Sequence, residues 1–244
     1  MIKILLLLLM SVNLVANDLY LYDTNDQIEI TEVINNKLSV LNAQIGNTFT
    51  LTNSLNINTQ TNSTATYVLP YRIAIHQRES TSTYYNQTST EYDNNFKLPE
   101  VVKVKDSFFN FTNNGELYCV SDGNTTNTII TSLCSVVFNK TSFFIKSGDK
   151  YTQLYVVGGT VTVLDNKSKK KKDLKEGDYL VVTPQVILNA REATVTKMGN
   201  SFSIKEVEDE EKDAHNKSIQ TLKVKLDNTL FVNYGQNIFG FKLK

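Results

Sequence analysis

The chain has 244 residues, 41% of them apolar, and its 25 basic and 25 acidic side chains cancel to a formal net charge of zero. A chain of this length can bury a core of its own, and its balance of charge gives no broad pull toward nucleic acid, whose binding proteins carry a basic face. Two His, two Cys and three Pro stand against abundant Asn, Thr and Ser, a polar bias that suits solvent-facing strands and loops and leaves little material for metal chemistry.

The chain opens with Met1-Ile2-Lys3, an apolar run from Ile4 to Met10, and Leu14-Val15-Ala16 before polar Asn17-Asp18. One positive charge, a short apolar core and a small residue at its end lead us to expect a secretory signal peptide at residues 1–16, too short to cross a bilayer core of about 30 Å, with an uncleaved N-terminal anchor as the alternative. No Cys stands at the end of the apolar run for lipid attachment, and no later stretch is apolar enough to span a membrane. The mature chain, without a transmembrane span, is expected in the periplasm or secreted, where thiols oxidise.

A first strand is expected where Ile28, Ile30 and Val33 alternate with polar residues. After Leu38 to Leu41, the turn Ile45-Gly46-Asn47-Thr48-Phe49 echoes Leu174 to Leu180. In both, an apolar residue, Gly, and Asn or Asp precede an aromatic, and a third echo is read at Val104 to Phe109. These similar turns suggest one repeating β architecture. Leu51, Leu55 and Ile57 keep an alternation through a polar stretch, and Tyr67 to Leu69 and Arg72 to Ile75 read as the next strands. The span 80–95 is poor in aliphatic residues and carries Tyr84, Tyr85 and Tyr92. It reads as a long exposed loop, either a solvated insertion or an adaptable contact surface on which sugar rings could stack.

Phe108, Phe109, Phe111, Leu117, Tyr118, Val120, Ile129, Ile130, Leu133 and Val136 to Phe138 supply strand pairs of the core. Cys119 and Cys134 lie in two of these runs, on either side of Gly123 to Thr126. A disulfide between adjacent strands is expected, worth about 3 kcal/mol for a loop of this size; two buried free thiols are the alternative. From Thr141 to Pro184 four apolar segments, 143–145, 154–157, 160–164 and 179–182, are separated by Gly148-Asp149, Gly158-Gly159 and Gly177-Asp178. This is a β meander. Lys169, Lys170, Lys171 and Lys172, with Lys167 and Lys175, repel one another and must project into water, as a solubilising tip or as a grip for acidic polysaccharide, lipid head groups or an acidic partner. Further short strands follow to residue 204. The acidic run Glu206 to Asp213 reads as a solvated loop or short helix without an apolar face, and Leu222 to Leu226, Thr229 to Val232 and Ile238 to Leu243 read as C-terminal strands.

No catalytic constellation emerges. His76 and His215 are isolated from one another in sequence and read as surface or rim residues, and the chain has no nucleophile elbow, phosphate loop or dinucleotide fingerprint. The sequence therefore indicates no enzyme, cofactor or metal.

Thr141, Phe143 and Ile145, then Thr152, Leu154, Val156, Gly159, Val161 and Val163, then Leu174, Gly177 and Asp178 follow a pattern that resembles the C-terminal half of the FecR domain, the periplasmic module of the ferric-citrate regulator. Ile57, Thr59, Ser63 and Ala65 match an earlier part of it in order, extending the similarity over about 42–184. The resemblance implies an all-β fold of antiparallel meanders, forming a β-solenoid or a sandwich-like FecR-type domain. Residues 17–204 would form that domain with an insertion near 84–120, and 205–244 an acidic segment with C-terminal strands. The regulator's cytoplasmic segment and membrane helix have no counterpart in the expected organisation, so its anti-sigma activity is not carried over. The expectation is a secreted, non-catalytic binding or scaffolding protein of the bacterial cell envelope, whose partner is an envelope protein or polysaccharide. The alternatives are a surface adhesin or carbohydrate-binding protein and a periplasmic signalling partner of a receptor. The oligomeric state is left open.

Overall fold

The computed structural model describes residues 18–34, 37–51, 54–69, 72–85, 109–123, 125–189 and 194–239. The first half of the chain forms β1 (Asp18–Asn25), β2 (Ile28–Ile34), β3 (Lys37–Leu41), β4 (Thr48–Thr50), β5 (Ser54–Thr59), β6 (Thr64–Leu69), β7 (Ile73–Gln77) and β8 (Ser82–Tyr85). The long β9 (Phe109–Ser121) leads into β10 (Asn127–Ile130), β11 (Cys134–Phe138), β12 (Thr141–Ser147), β13 (Thr152–Gly158) and β14 (Thr160–Asp165). There follow β15 (Lys171–Lys175), β16 (Tyr179–Asn189), β17 (Thr194–Lys205) and helix α1 (Asp209–Phe239).

The strands make an all-β fold of two stacked layers. One runs β4-β1-β6-β7-β9-β12-β13-β16-β17. The other runs β3-β2-β5-β8-β9-β10-β11-β14-β15. Among the described residues every pairing is antiparallel except β9 with β10. β9 belongs to both layers: Phe111 to Asn114 pair with β8, whereas Gly115 to Ser121 pair with β12. The strand changes layer at Gly115, whose φ is +119° and whose missing Cβ would fall 2.4 Å from Thr81 Oγ1. The Thr81 hydroxyl fills that space and accepts a hydrogen bond from the Glu116 amide at 2.8 Å. Only glycine fits the corner.

Period-two alternation builds the core between the layers. The positions that carry the FecR resemblance fall on it: Ile57, Thr59, Ser63, Ala65, Phe143, Ile145, Leu154, Val156, Val161, Val163 and Leu174 are all buried. A buried polar chain crosses this core. Tyr85 donates to the Tyr67 hydroxyl, Tyr67 and Thr83 donate to Gln77 Oε1, each at 2.9 Å, and Gln77 Nε2 donates to the carbonyls of Ile57 and Thr81. Each polar group is partnered, which makes its burial tolerable.

Two units at opposite ends of the fold share one plan. In β1–β4 the Gly46 amide donates to Leu21 O, the Leu21 amide to Asn47 O, and the Asn47 amide to Gln44 O. In β13–β16 the Gly177 amide donates to Val156 O, the Val156 amide to Asp178 O, and the Asp178 amide to Lys175 O. The glycines have φ of +89° and +87°. Leu19 faces Phe49 as Leu154 faces Leu180, and Ile30 faces Leu41 as Val161 faces Leu174. The two echoing turns of the sequence are thus equivalent; the third, at 104–109, lies almost wholly outside the described residues.

Three expectations are corrected. The C-terminal segment is α1 rather than strands: Leu222-Lys-Val-Lys-Leu226 satisfies a period of two, but His215, Ile219, Leu222 and Leu226 form a helical stripe and are buried, while Val224 is 58% exposed. Asp209, Glu210 and Glu211 in the first turn favour the helix N-terminus. The stripe covers Val68, Ala74, Tyr118, Val120, Phe144 and Tyr155 on the outer face of the first layer, a second core. No described helix is long and apolar enough to cross a membrane. Second, Cys119 and Cys134 are free, buried thiols. Cys119 on β9 faces Phe143 and Ile75, whereas Cys134 on β11 faces Asp165 in the other layer; their strands are not neighbours. Burial raises the pKa of both, that of Cys134 to about 11 despite hydrogen bonds with Thr131 and Thr152. Third, the expected exposed loop begins as β8, a strand between β5 and β9.

Candidate functional site: a cleft between the helix and the first layer

The residues singled out in the sequence do not converge. Tyr85 is 1% exposed and belongs to the polar chain of the core, so it cannot offer a sugar its ring. Its ring meets that of Tyr67 edge to face, with centroids 6.1 Å apart. Tyr84 is half-buried, opposite Asn56 and Thr112, and Tyr92 lies outside the described residues. Lys169, Lys170, Lys171 and Lys172 are exposed, as expected. Five strand steps separate β8 from β15, about 24 Å at 4.8 Å per step, so the tyrosines and lysines form no common site.

The lysine turn stands on a rigid base. Asp165 is buried, and its carboxylate accepts from the Lys167 amide at 2.8 Å, the Asn200 amide at 2.8 Å, Asn200 Nδ2 at 2.9 Å and the Ser168 hydroxyl. Burial alone would raise its pKa, but the Ser168 hydroxyl and the Asn200 and Lys167 amides outweigh that and hold the carboxyl below its ordinary range. Of these four lysines, Lys169 and Lys170 lie in the turn itself. Lys171 and Lys172 belong to β15, where they face Leu164 and Val163 across the ladder, and Leu174 is the one residue of that strand turned into the core.

The structure opens a cleft that sequence reasoning missed. It has a volume of about 510 Å³ and lies between the later turns of α1 and the ends of β9, β12 and β13. Lys140 and the Gly158-Gly159 turn form one wall, Lys223, Leu226 and Asp227 of α1 the other, with Val120 and Ser142 between them. The first wall is held in place: Thr141 donates to the Gly158 carbonyl at 2.6 Å. Gly159 has a φ of +82°, and a Cβ on it would fall 2.6 Å from Lys140 O. Asp122, also in the lining, is taken by a two-point pair with Arg72. Among the described residues Lys140, Lys223 and Asp227 have no ion-pair partner, which leaves two cations and one carboxylate at an open cleft of mixed polar and apolar lining. No local motif could reveal this arrangement, because α1 brings Lys223 to Lys140 from far along the chain.

The histidines are neither a pair nor rim residues in common. His215, 6% exposed, stacks on Phe144 with centroids 4.5 Å apart, and its Nδ1 lies 3.1 Å from the Tyr118 hydroxyl. Its Nε2 has no hydrogen-bond partner and lies 3.5 Å from Glu211 Oε1, an ion-pair distance if the ring is protonated. Burial lowers its pKa against the pull of Glu211. His76 is half-buried, 2.9 Å from Thr66 Oγ1, and its pKa falls to about 4 through burial and then the charges of Lys225 and Arg78. Neither ring belongs to a cluster able to hold a metal ion among the described residues.

No family model and no curated protein matches the chain. Two crystal structures of a provisionally named anti-sigma factor from Parabacteroides distasonis are similar to it at 17% and 18% identity, with TM-scores of 0.41 and 0.40. The matches cover 60% and 59% of this chain, and the chain spans about the same 60% and 59% of their length.

Proposed function

We propose that the chain is a non-catalytic binding module of the bacterial cell envelope that holds an acidic ligand, a polysaccharide or an acidic protein segment, in the cleft beside α1. The supporting observation is the pair Lys140 and Lys223, two cations without ion-pair partners among the described residues that outnumber the single unpaired carboxylate of Asp227, set around an open cleft whose Gly158-Gly159 wall is held in place. A linear acidic polymer suits such a site, because successive carboxylates can meet both lysines. The envelope assignment rests on the leader at residues 1–16.

The test is a titration of the purified mature chain with polygalacturonate, and with neutral dextran as control, at low salt. Binding of the acidic polymer alone is expected, weakening with salt, and Lys140→Gln with Lys223→Gln should reduce affinity by roughly tenfold, about 1.4 kcal/mol. Unchanged binding by that double variant would remove the cleft as the site. Loss of binding on replacing Lys169 to Lys172 by Ser would move it to the lysine turn.

A further inference from the structure

The two end strands of the second layer, β3 and β15, occupy equivalent positions in the repeated unit. Their chemistry is opposite. β15 reads Lys171-Lys-Asp-Leu-Lys175, exposed except for Leu174, and so carries the charged side chains with which an edge strand keeps other strands away. β3 reads Lys37-Leu-Ser-Val-Leu41 and is exposed over its first four residues. Leu38 and Val40 are 68% and 70% exposed and point to the same side of the strand, with Ile45 57% exposed in the segment that follows. Among the described residues β3 is paired only with β2, and its other backbone edge has no partner among them.

We infer that β3 is a self-association edge, pairing antiparallel with β3 of a second copy about a twofold axis at Ser39. The strand is complementary to itself in that register. Leu38 faces Val40 of the other copy on both sides of the axis, Ser39 faces Ser39, and Lys37 faces Leu41, so no like charges meet. Four apolar side chains then form one strip across the junction, and the open backbone groups of both strands are paired. The same operation on β15 places Asp173 against Asp173 and Lys171 against Lys175, which repel. A twofold pairing of edges closes on itself and gives a dimer rather than a filament.

The experiment is light scattering of the full mature chain over a range of protein concentrations, with three variants. The parent should pass from monomer to dimer as concentration rises. Val40→Lys should weaken the dimer by tenfold or more while leaving the circular dichroism spectrum unchanged, since the site is exposed in the single copy. Ser39→Cys should give a covalent dimer on mild oxidation, whereas Asp173→Cys should not; Cys119 and Cys134 are buried and do not compete. A parent that stays monomeric at every concentration overturns the inference, as does a dimer unmoved by Val40→Lys. A monomeric parent that loses thermal stability on Val40→Lys overturns it too, and shows that another part of the same chain lies on β3.

Discussion

The units β1–β4 and β13–β16 are built alike and finished differently. Both fold a strand of the first layer into a hairpin of the second, and both return through a left-handed glycine bonded to the strand where the unit began. Inward residues agree in kind, with Leu19, Leu21, Ile30 and Leu41 corresponding to Leu154, Val156, Val161 and Leu174. The outward residues of the end strands do not agree at all. Packing between the layers fixes the first set, because an apolar side chain has no other place from which water is excluded. The second set faces solvent and is free to take up solubility at one end and pairing at the other.

The largest effect that can break this equivalence comes from a charge in the core. Val161→Asp and Ile30→Asp each place a carboxylate where the native side chain is 1% and 0% exposed, without a partner. Each should cost several kcal/mol, about 3 to 5, as read from chemical denaturation. A near-native midpoint for either would mean that its hairpin does not belong to the core, and for Val161 it would also remove the packing on which the FecR-like reading rests.

A smaller effect separates the outer face of the first layer from both units. His76 has a pKa of about 4 in the folded chain against 6.5 when free, and that of His215 is lowered as well. Well above pH 6.5 both are neutral in either state. As the pH falls from 6.5 toward 4 the unfolded chain takes up protons that the folded chain refuses, so stability falls through this window. The surrounding groups are Lys225, Arg78 and Asp23 for His76, and Glu211, Arg78, Glu116, Tyr118, Phe144 and Tyr155 for His215. Allowing for the partial exposure of His76, the loss is about 2 kcal/mol. Unfolding free energies at pH 7 and pH 4.5 should differ by less in a His76→Gln, His215→Gln variant than in the parent; equal differences would show that the rings do not carry the effect. Asp165 adds a loss of the same sign only at lower pH, as its depressed pKa is reached.

The glycine turns test the equivalence more finely. A Cβ at Gly46 or Gly177 meets nothing within 4 Å, so Gly→Ala at either introduces backbone strain alone. Both should lose about 1 kcal/mol, and by similar amounts. Thermal melts that differ by much more than the error would mean that the two turns are under different constraint.

Legibility in the sequence followed the physical cause of each feature. The alternation at Val161 and Val163 was readable because these inward residues are apolar between the polar Thr160 and Thr162, whereas 143–145 was readable as a strand because Phe143 and Ile145 fill the core between the layers and Phe144 the second core on the other face. Tyr85 was misread because the inward residues of β8, Thr83 and Tyr85, bury hydroxyls that Gln77 and Tyr67 satisfy, and a satisfied buried hydroxyl looks like a solvated one in sequence. The helix was missed because Leu222 to Leu226 fit two periods, and the deciding positions, His215 and Ile219, are separated by polar residues. The cleft was out of reach, since it exists only once α1 lies on β9 and β12.

The smallest expected effect concerns the end that carries the lysines. Replacing Lys169, Lys170, Lys171 and Lys172 by Ser removes four exposed charges, of which only Lys171 has an ion-pair partner among the described residues, Asp173, at 3.4 Å with both side chains more than half exposed. Such a pair is worth little. The turn is held by Asp165 through backbone amides, the Ser168 hydroxyl and Asn200, and none of these is changed. The one lysine conformation at issue is Lys169, whose φ is +60°, and Ser adopts that region no more easily than Lys. Stability should therefore stay within about 0.5 kcal/mol of the parent, measured by thermal unfolding at low protein concentration. At high concentration the variant should associate more than the parent, because β15 then retains only Asp173 and Lys175 as charged guards. A large fall in melting temperature would place the lysines in the structure of the edge, and unchanged association would show that β15 owes its isolation to something other than charge.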